Sequence, residues 1–188
     1  PSRFIAVAEG SGLIEPLGHF ILEQVCRLAA DWPGYTFAVN VSPAQLRNPG
    51  FAQSVAEHLS RSGLPGNRLE FELTENILID DESVVTSNLI ELRHMGIRIA
   101  LDDFGTGYSS LNYLKRYPVD RIKIDRAFVS QISSNPASSA IVQAMITLSH
   151  ALGIEVTAEG VETSEQHARL LAMGCNTLRE HMVREITD

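Results

Sequence analysis

Only two cysteines occur in 188 residues, Cys26 and Cys175, far apart in the chain. They make neither a disulfide framework nor a zinc knuckle, and a reducing compartment fits them best. Aromatic residues are few, at 6% with a single tryptophan, while apolar residues make up 44%, so the composition is that of an ordinary soluble domain. Positive charge is in deficit: 15 Lys and Arg stand against 23 Asp and Glu, a formal net charge of −8. That balance argues against DNA, RNA or anionic-membrane binding, but not against a phosphate ligand held through metal ions. No signal peptide is visible, and no apolar run is long enough to span a membrane. There is no Walker loop and no dinucleotide fingerprint. None of the six histidines (His19, His58, His94, His150, His167 and His181) falls in a metal-binding spacing, so they read as surface or helix-end residues. Ser109-Ser110 has no histidine base placed by a motif. The chain opens on Pro1-Ser-Arg without a methionine, which suggests a piece of something longer.

What is present is an alternation. Apolar, β-rich runs predict strands at Thr36–Val41, Leu69–Leu73, Ile97–Leu101, Arg121–Ile124 and Ile154–Ala158. Between them, helical patterns cover Leu17–Ala30, Phe51–Ser62, Glu82–Met95, Ser109–Arg116, Ser138–Leu152 and Ser164–Met173. Gly63, Gly96, Gly153 and Gly174 stand where helix C-caps belong, and Thr163 with Gln166 forms a capping box. Alternating strands and helices imply parallel pairing and an α/β fold.

The strands end in polar groups. The most informative stretch is Asp102-Asp103-Phe-Gly105-Thr-Gly107-Tyr-Ser109-Ser-Leu111, two carboxylates at the end of an apolar run followed by a glycine-punctuated loop. The other ends supply Asn40, Glu75, Lys123 with Asp125, and Glu159 with Glu162. In a parallel α/β sheet or barrel the carboxyl ends share one face, where sites form. Asn40, Glu75, Asp102, Asp103, Lys123 and Glu159 are therefore expected together. Apart from the lysine this is an all-oxygen set, suited to Mg²⁺ or Mn²⁺. A divalent-metal site and a solvated rim of strand ends both remain open on this reading.

The motifs are similar to those of the EAL family of cyclic di-GMP phosphodiesterases. The matching residues are Phe4-Ile-Ala-Val-Ala-Glu9 with Gly12-Leu-Ile14, Asn40-Val-Ser42, Glu72-Leu-Thr-Glu75, Asp102 through Leu111, Lys123-Ile-Asp125 and Ala158-Glu-Gly-Val-Glu162. The resemblance runs from about residue 4 to 175. It implies a (β/α)8, TIM-barrel-like fold with one antiparallel strand. It also implies hydrolysis of cyclic di-GMP to pGpG with two Mg²⁺ or Mn²⁺ ions, in the bacterial cytoplasm. By this resemblance Asn40, Glu75 and Asp102 hold one metal and Asp103 the second. Glu159 is a metal ligand or general base, and Lys123 holds the attacking water or a phosphate oxygen. Glu162 and Asp125 organise the strand ends, and Gly105, Gly107 and Ser109 belong to the family's mobile loop.

Two departures qualify the expectation. The family's Glu-Ala-Leu triplet lies upstream of the segment matching Phe4–Glu9, so residues 1–175 read as a partial domain lacking one metal-ligand glutamate. After Cys175 the charged stretch Asn176–Asp188, with Leu178, Met182 and Ile186 at four-residue spacing, reads as a divergent tail, helical or non-native, rather than a strand. About five parallel strands would then leave the barrel open, with sheet edges that favour a homodimer or other self-association. For this chain alone little or no turnover is expected. The alternative function is a catalytically inactive cyclic di-GMP-binding or interaction module, and a third possibility is an inert fragment completed by a partner.

Overall fold

A computed structural model describes residues 2–74, 83–105, 114 and 117–180. Glu75, Gly107, Ser109, nearly all of the expected helix at 109–116 and residues 181–188 lie outside them. Among the described residues fourteen helices and strands are named. In chain order they are α1 (Ser2–Ser11), α2 (Ile14–Asp31), β1 (Phe37–Asn40), α3 (Pro43–Leu46), α4 (Phe51–Ser62), β2 (Leu69–Thr74) and α5 (Ser83–His94). Then follow β3 (Arg98–Phe104), β4 (Arg121–Ile124), α6 (Arg126–Val129), α7 (Pro136–Ala151), β5 (Glu155–Val161), α8 (Ser164–Ala172) and β6 (Thr177–Glu180). Strand order in the sheet follows chain order. The α/β alternation read from the sequence is therefore present, with six strands among the described residues where about five were expected.

The chain divides into two compact units: residues 1–100 with 111–118, and residues 101–110 with 119–188. In the first unit β1 pairs with β2 in parallel, Phe37 opposite Leu69 and Asn40 opposite Glu72. Leu69, Phe71 and Leu73 of β2 are at most 1% exposed, and Glu70 and Glu72 between them are buried too, at 4% and 6%, as in a parallel strand covered on both faces. α4 buries Phe51, Ala52, Val55 and Leu59 on one stripe and stops at Gly63, whose φ of 68° is the left-handed cap that glycine adopts without strain. α2 packs on α4, and α4 on α5.

In the second unit β4 pairs with β5 and β5 with β6, both in parallel. Ile122, Ile124, Val156 and Ala158 are fully buried there. α7 begins on Asn135, which accepts from the N–H groups of Ala137 and Ser138, with Pro136 in the first turn where its missing donor costs nothing. α8 begins with the expected Thr163–Gln166 capping box. Thr177–Glu180 corrects the tail reading: these residues form a parallel strand, with Thr157 opposite Thr177 and Ala158 opposite Leu178. Asn176 fixes that register, its Oδ1 accepting from the Val156 N–H at 3.0 Å. Among the described residues no single helix is long and apolar enough to cross a membrane.

Candidate functional site

The second unit sets two of the sequence-derived acids, Asp102 and Glu159, against one lysine. Lys123 lies on β4, buried to 4% exposure. Its Nζ lies 3.0 Å from Asp102 Oδ1 and 2.9 Å from Glu159 Oε1. Three strands supply the three groups, β3, β4 and β5, and each contributes from its carboxyl-terminal half. Backbone pairing sets Lys123 opposite Thr157 and Ile124 opposite Ala158, so Glu159 stands one step beyond the last pair. The β5·β6 register shifts between Glu159 and Val161, and Gly160 there has φ of 70°. A bulge of this kind bends the strand and re-aims the neighbouring side chain.

Asp103 follows Asp102 in a left-handed conformation, φ 55°, a region that aspartate tolerates better than most residues. Its own N–H donates to Asp102 Oδ1 at 3.0 Å. Loss of solvent, then the charges of Asp102 and Asp125, then a hydrogen bond shared with Asp125, push the Asp103 carboxyl above its ordinary value of 3.8. Asp125 also caps α6, accepting from the Ala127 N–H at 2.7 Å. Gly105, with φ of 97°, lets the chain leave the strand end; a Cβ there would sit 2.1 Å from Met145 Cε.

The sequence reading missed Arg126. Its guanidinium reaches Glu162 at 2.6 Å, and its stem lies on Gly160, where a Cβ would stand 2.5 Å from Arg126 Cγ. The only advance signal was its place directly after Lys123-Ile-Asp125.

In the first unit Asn40 ends β1 and lines a cavity of about 640 Å³. Glu9, Ser42, Gln45, Glu72 and Thr74 are among its other polar walls, and Leu22, Val39 and Phe71 among its apolar ones. Ser42 donates to Glu9 from its hydroxyl and caps α3. Glu72, 6% exposed, is a second acid that the sequence reading passed over in favour of Glu75.

The donor chemistry of the second unit suits a hard divalent cation. Asp102, Asp103, Asp125 and Glu159 outnumber the one lysine, and Asp103 holds its proton more tightly first because of burial and then because of the neighbouring Asp102 and Asp125 charges. Among the described residues no three carboxylate, histidine or cysteine side chains converge at ligand distance.

The raised Asp103 value has a consequence for stability. A carboxyl that binds its proton more tightly folded than unfolded favours folding most below pH 3.8, and that contribution is lost as pH rises through the folded value. At neutral pH the ionised group is therefore a cost to the metal-free protein. Asp103→Asn is expected to raise the Tm in EDTA at pH 7.5, with the gap closing as pH falls towards 4. A variant no more stable than the parent at pH 7.5 contradicts this assignment of charge.

The sequence matches the family model of the EAL domain over residues 1–179. It is 46% identical over 175 residues to an uncharacterised protein of Sinorhizobium fredii, covering 93% of this chain and 21% of that protein. It is 39% identical over 184 residues to the bifunctional diguanylate cyclase/cyclic di-GMP phosphodiesterase MucR of Pseudomonas aeruginosa, covering 95% of this chain and 27% of that one. The chain thus spans about a fifth to a quarter of the length of these curated relatives. The solved structure of the PaMucR phosphodiesterase in complex with c-di-GMP superposes with a TM-score of 0.87 at 39% identity, over 96% of this chain and 75% of that one.

Proposed function

The chain belongs to the EAL domain family, and on that premise we propose that the protein containing it opens one phosphodiester of cyclic di-GMP to give linear pGpG. The observation that carries the reading is Lys123 Nζ held at 3.0 and 2.9 Å between Asp102 and Glu159 at the ends of adjacent strands. Similarity to a cyclic di-GMP phosphodiesterase and to a c-di-GMP complex supports the ligand.

In this reading Asn40, Glu75 and Asp102 would hold one Mg²⁺ or Mn²⁺ ion and Asp103 would hold a second. Bound there, divalent ions would supply Lewis-acid activation of the attacking water and charge stabilisation at the phosphate. Lys123 holds the attacking water or a phosphate oxygen, placing a fixed positive charge where the transition state gains negative charge. Glu159, a ligand or the general base, takes the water's proton as the P–O bond forms. The ester oxygen leaves with a proton from solvent. Arg126 and Glu162 brace the bulged end of β5 so that Glu159 keeps its aim, and Asp125 orients Asp103. By likeness to the family, Gly105, Gly107 and Ser109 take a loop-organising role. The reaction belongs to the cytoplasmic side of a signalling protein.

The test is hydrolysis of cyclic di-GMP in Mn²⁺ by this chain, by a version extended upstream to include a Glu-Ala-Leu segment, and by the extended version carrying Asp102→Ala. Turnover is expected in the extended protein and a loss of about a thousandfold in Asp102→Ala. The 188-residue chain alone, whose sequence contains no Glu-Ala-Leu, is expected to turn over little. Binding of cyclic di-GMP without turnover in both lengths would replace the enzyme by a binding module.

A further inference from the structure

Away from the strand ends, on the α2–α4 face of the first unit, two histidines 39 residues apart in sequence meet. His19 Nδ1 lies 3.1 Å from His58 Nε2, and the ring centroids are 5.5 Å apart. Ser54, one turn before His58 on α4, places its Oγ 3.1 Å from the same His19 Nδ1. His19 is exposed and His58 half-buried, so the pair is open to small ions from solvent. Glu23 follows His19 by one turn of α2, and Glu57 precedes His58 directly; the Glu57 carboxylate is tied to Arg61 at 3.2 Å.

We propose that His19 and His58 form a two-imidazole chelate for a borderline transition-metal ion of the Zn²⁺ or Cu²⁺ class, which pins α2 to α4 and is separate from the oxygen-donor site. The geometry is close to what such an ion needs. Two nitrogens about 2.0–2.1 Å from a tetrahedral ion stand roughly 3.3 Å apart. The observed 3.1 Å requires opening by a few tenths of an ångström and a rotation of the rings that turns both lone pairs to one point. The proton between the two facing nitrogens moves to the other nitrogen of its own ring, which frees both facing lone pairs for the cation. Ser54 and water complete the shell, and Glu23 supplies compensating charge. The class of ion follows from the donors: neutral imidazole suits Cu²⁺ and Zn²⁺, with Cu²⁺ held more tightly, whereas Mg²⁺ and Mn²⁺ prefer oxygen. The two metal types would therefore partition between two places in the protein. Because both ligands come from packed helices present only in the folded chain, the ion stabilises the fold by an amount that grows with the logarithm of its excess over Kd.

The experiment is Cu²⁺ titration followed by electron paramagnetic resonance, with Zn²⁺ thermal shifts alongside, on the protein and on His19→Gln, His58→Gln and Asp102→Asn. One Cu²⁺ with two equivalent imidazole nitrogens is expected in the parent and in Asp102→Asn. Each histidine variant is expected to lose one nitrogen, bind about tenfold or more weakly, and lose the Zn²⁺ thermal shift. Unchanged Cu²⁺ spectra and affinity in both histidine variants would place the ion elsewhere and overturn the chelate. So would its loss in Asp102→Asn alone. His19 is exposed, so His19→Gln is expected to stay folded and keeps the test decisive even if His58→Gln does not.

Discussion

Replacing Lys123 by methionine is expected to destabilise the metal-free protein by about 2–3 kcal/mol. Methionine matches the length of the stem and leaves an apolar end, so the change removes little but the ammonium. What stays behind is the problem: Asp102 and Glu159 keep their charges and lose the cation that both touch. Breaking a fully buried pair costs about 3–5 kcal/mol. Here Asp102 and Glu159 retain 20% and 27% of their side-chain exposure, so water screens part of the loss and the smaller figure applies. Removing the repulsion should recover stability: Asp102→Asn added to Lys123→Met is expected to cost less than Lys123→Met alone, a coupling that a double-mutant cycle in urea with EDTA measures directly. Mn²⁺ should narrow the gap as well, by supplying positive charge to the same acids. Additive single and double variants, or no response to Mn²⁺, would mean that the lysine is not balancing these carboxylates.

The same cluster shows what the sequence could and could not disclose. Asp102, Lys123 and Glu159 were legible because parallel strands present their carboxyl ends together, and the apolar runs leading to them were plain: Ile122, Ile124, Val156 and Ala158 are fully buried. The hydrogen bond between Asp103 and Asp125 was not legible. It depends on the left-handed turn at Asp103 and on the cap that Asp125 makes over α6, neither of which a linear pattern records. Arg126 was missed for a related reason. An exposed arginine opening a four-residue helix looks like solvated surface until the bulge at Gly160 brings Glu162 to it.

Fold elements failed where tertiary context overrides local composition. β6 reads as charged tail, since Arg179 and Glu180 have the composition of solvated surface. Its strand character comes from the partner: β5 offers a ladder, and Asn176 fixes the register before the charges begin. β3 runs through Asp102 and Asp103 to Phe104, three residues beyond the apolar run, because backbone pairing does not stop where side chains become polar. The helix caps, by contrast, were read correctly. The capping box at Thr163 and the glycine after α4 are local chemistry, complete within a few residues.

Asn88→Ala is expected to cost about 3 kcal/mol, the largest loss for a single polar side chain remote from the strand ends. Asn88 sits on α5 at 2% exposure. Its Nδ2 donates to the carbonyls of Leu46 and Asn48 at 2.8 and 2.9 Å, and its Oδ1 accepts from the Ala52 N–H at 3.4 Å. One side chain thus ties down the turn between α3 and α4, which itself leads directly from Asn40 and the Ser42 cap. Alanine withdraws the amide from these three backbone groups, where water can replace it only poorly, and each such loss costs about 1–3 kcal/mol. In a domain of this size the change should lower Tm by roughly 6–12 °C. Asn88→Leu refills the volume but not the hydrogen bonds, and is expected to be no better than alanine if polar satisfaction governs. Asn88→Asp is the sharper variant. It removes both donors and sets a carboxylate against two carbonyl oxygens, so it should be worse than alanine at pH 7.5 and improve towards pH 4 as it gains a proton. If leucine restored the parent's stability, the residue would be filling space rather than holding the turn, and the position of Asn40 would owe nothing to α5.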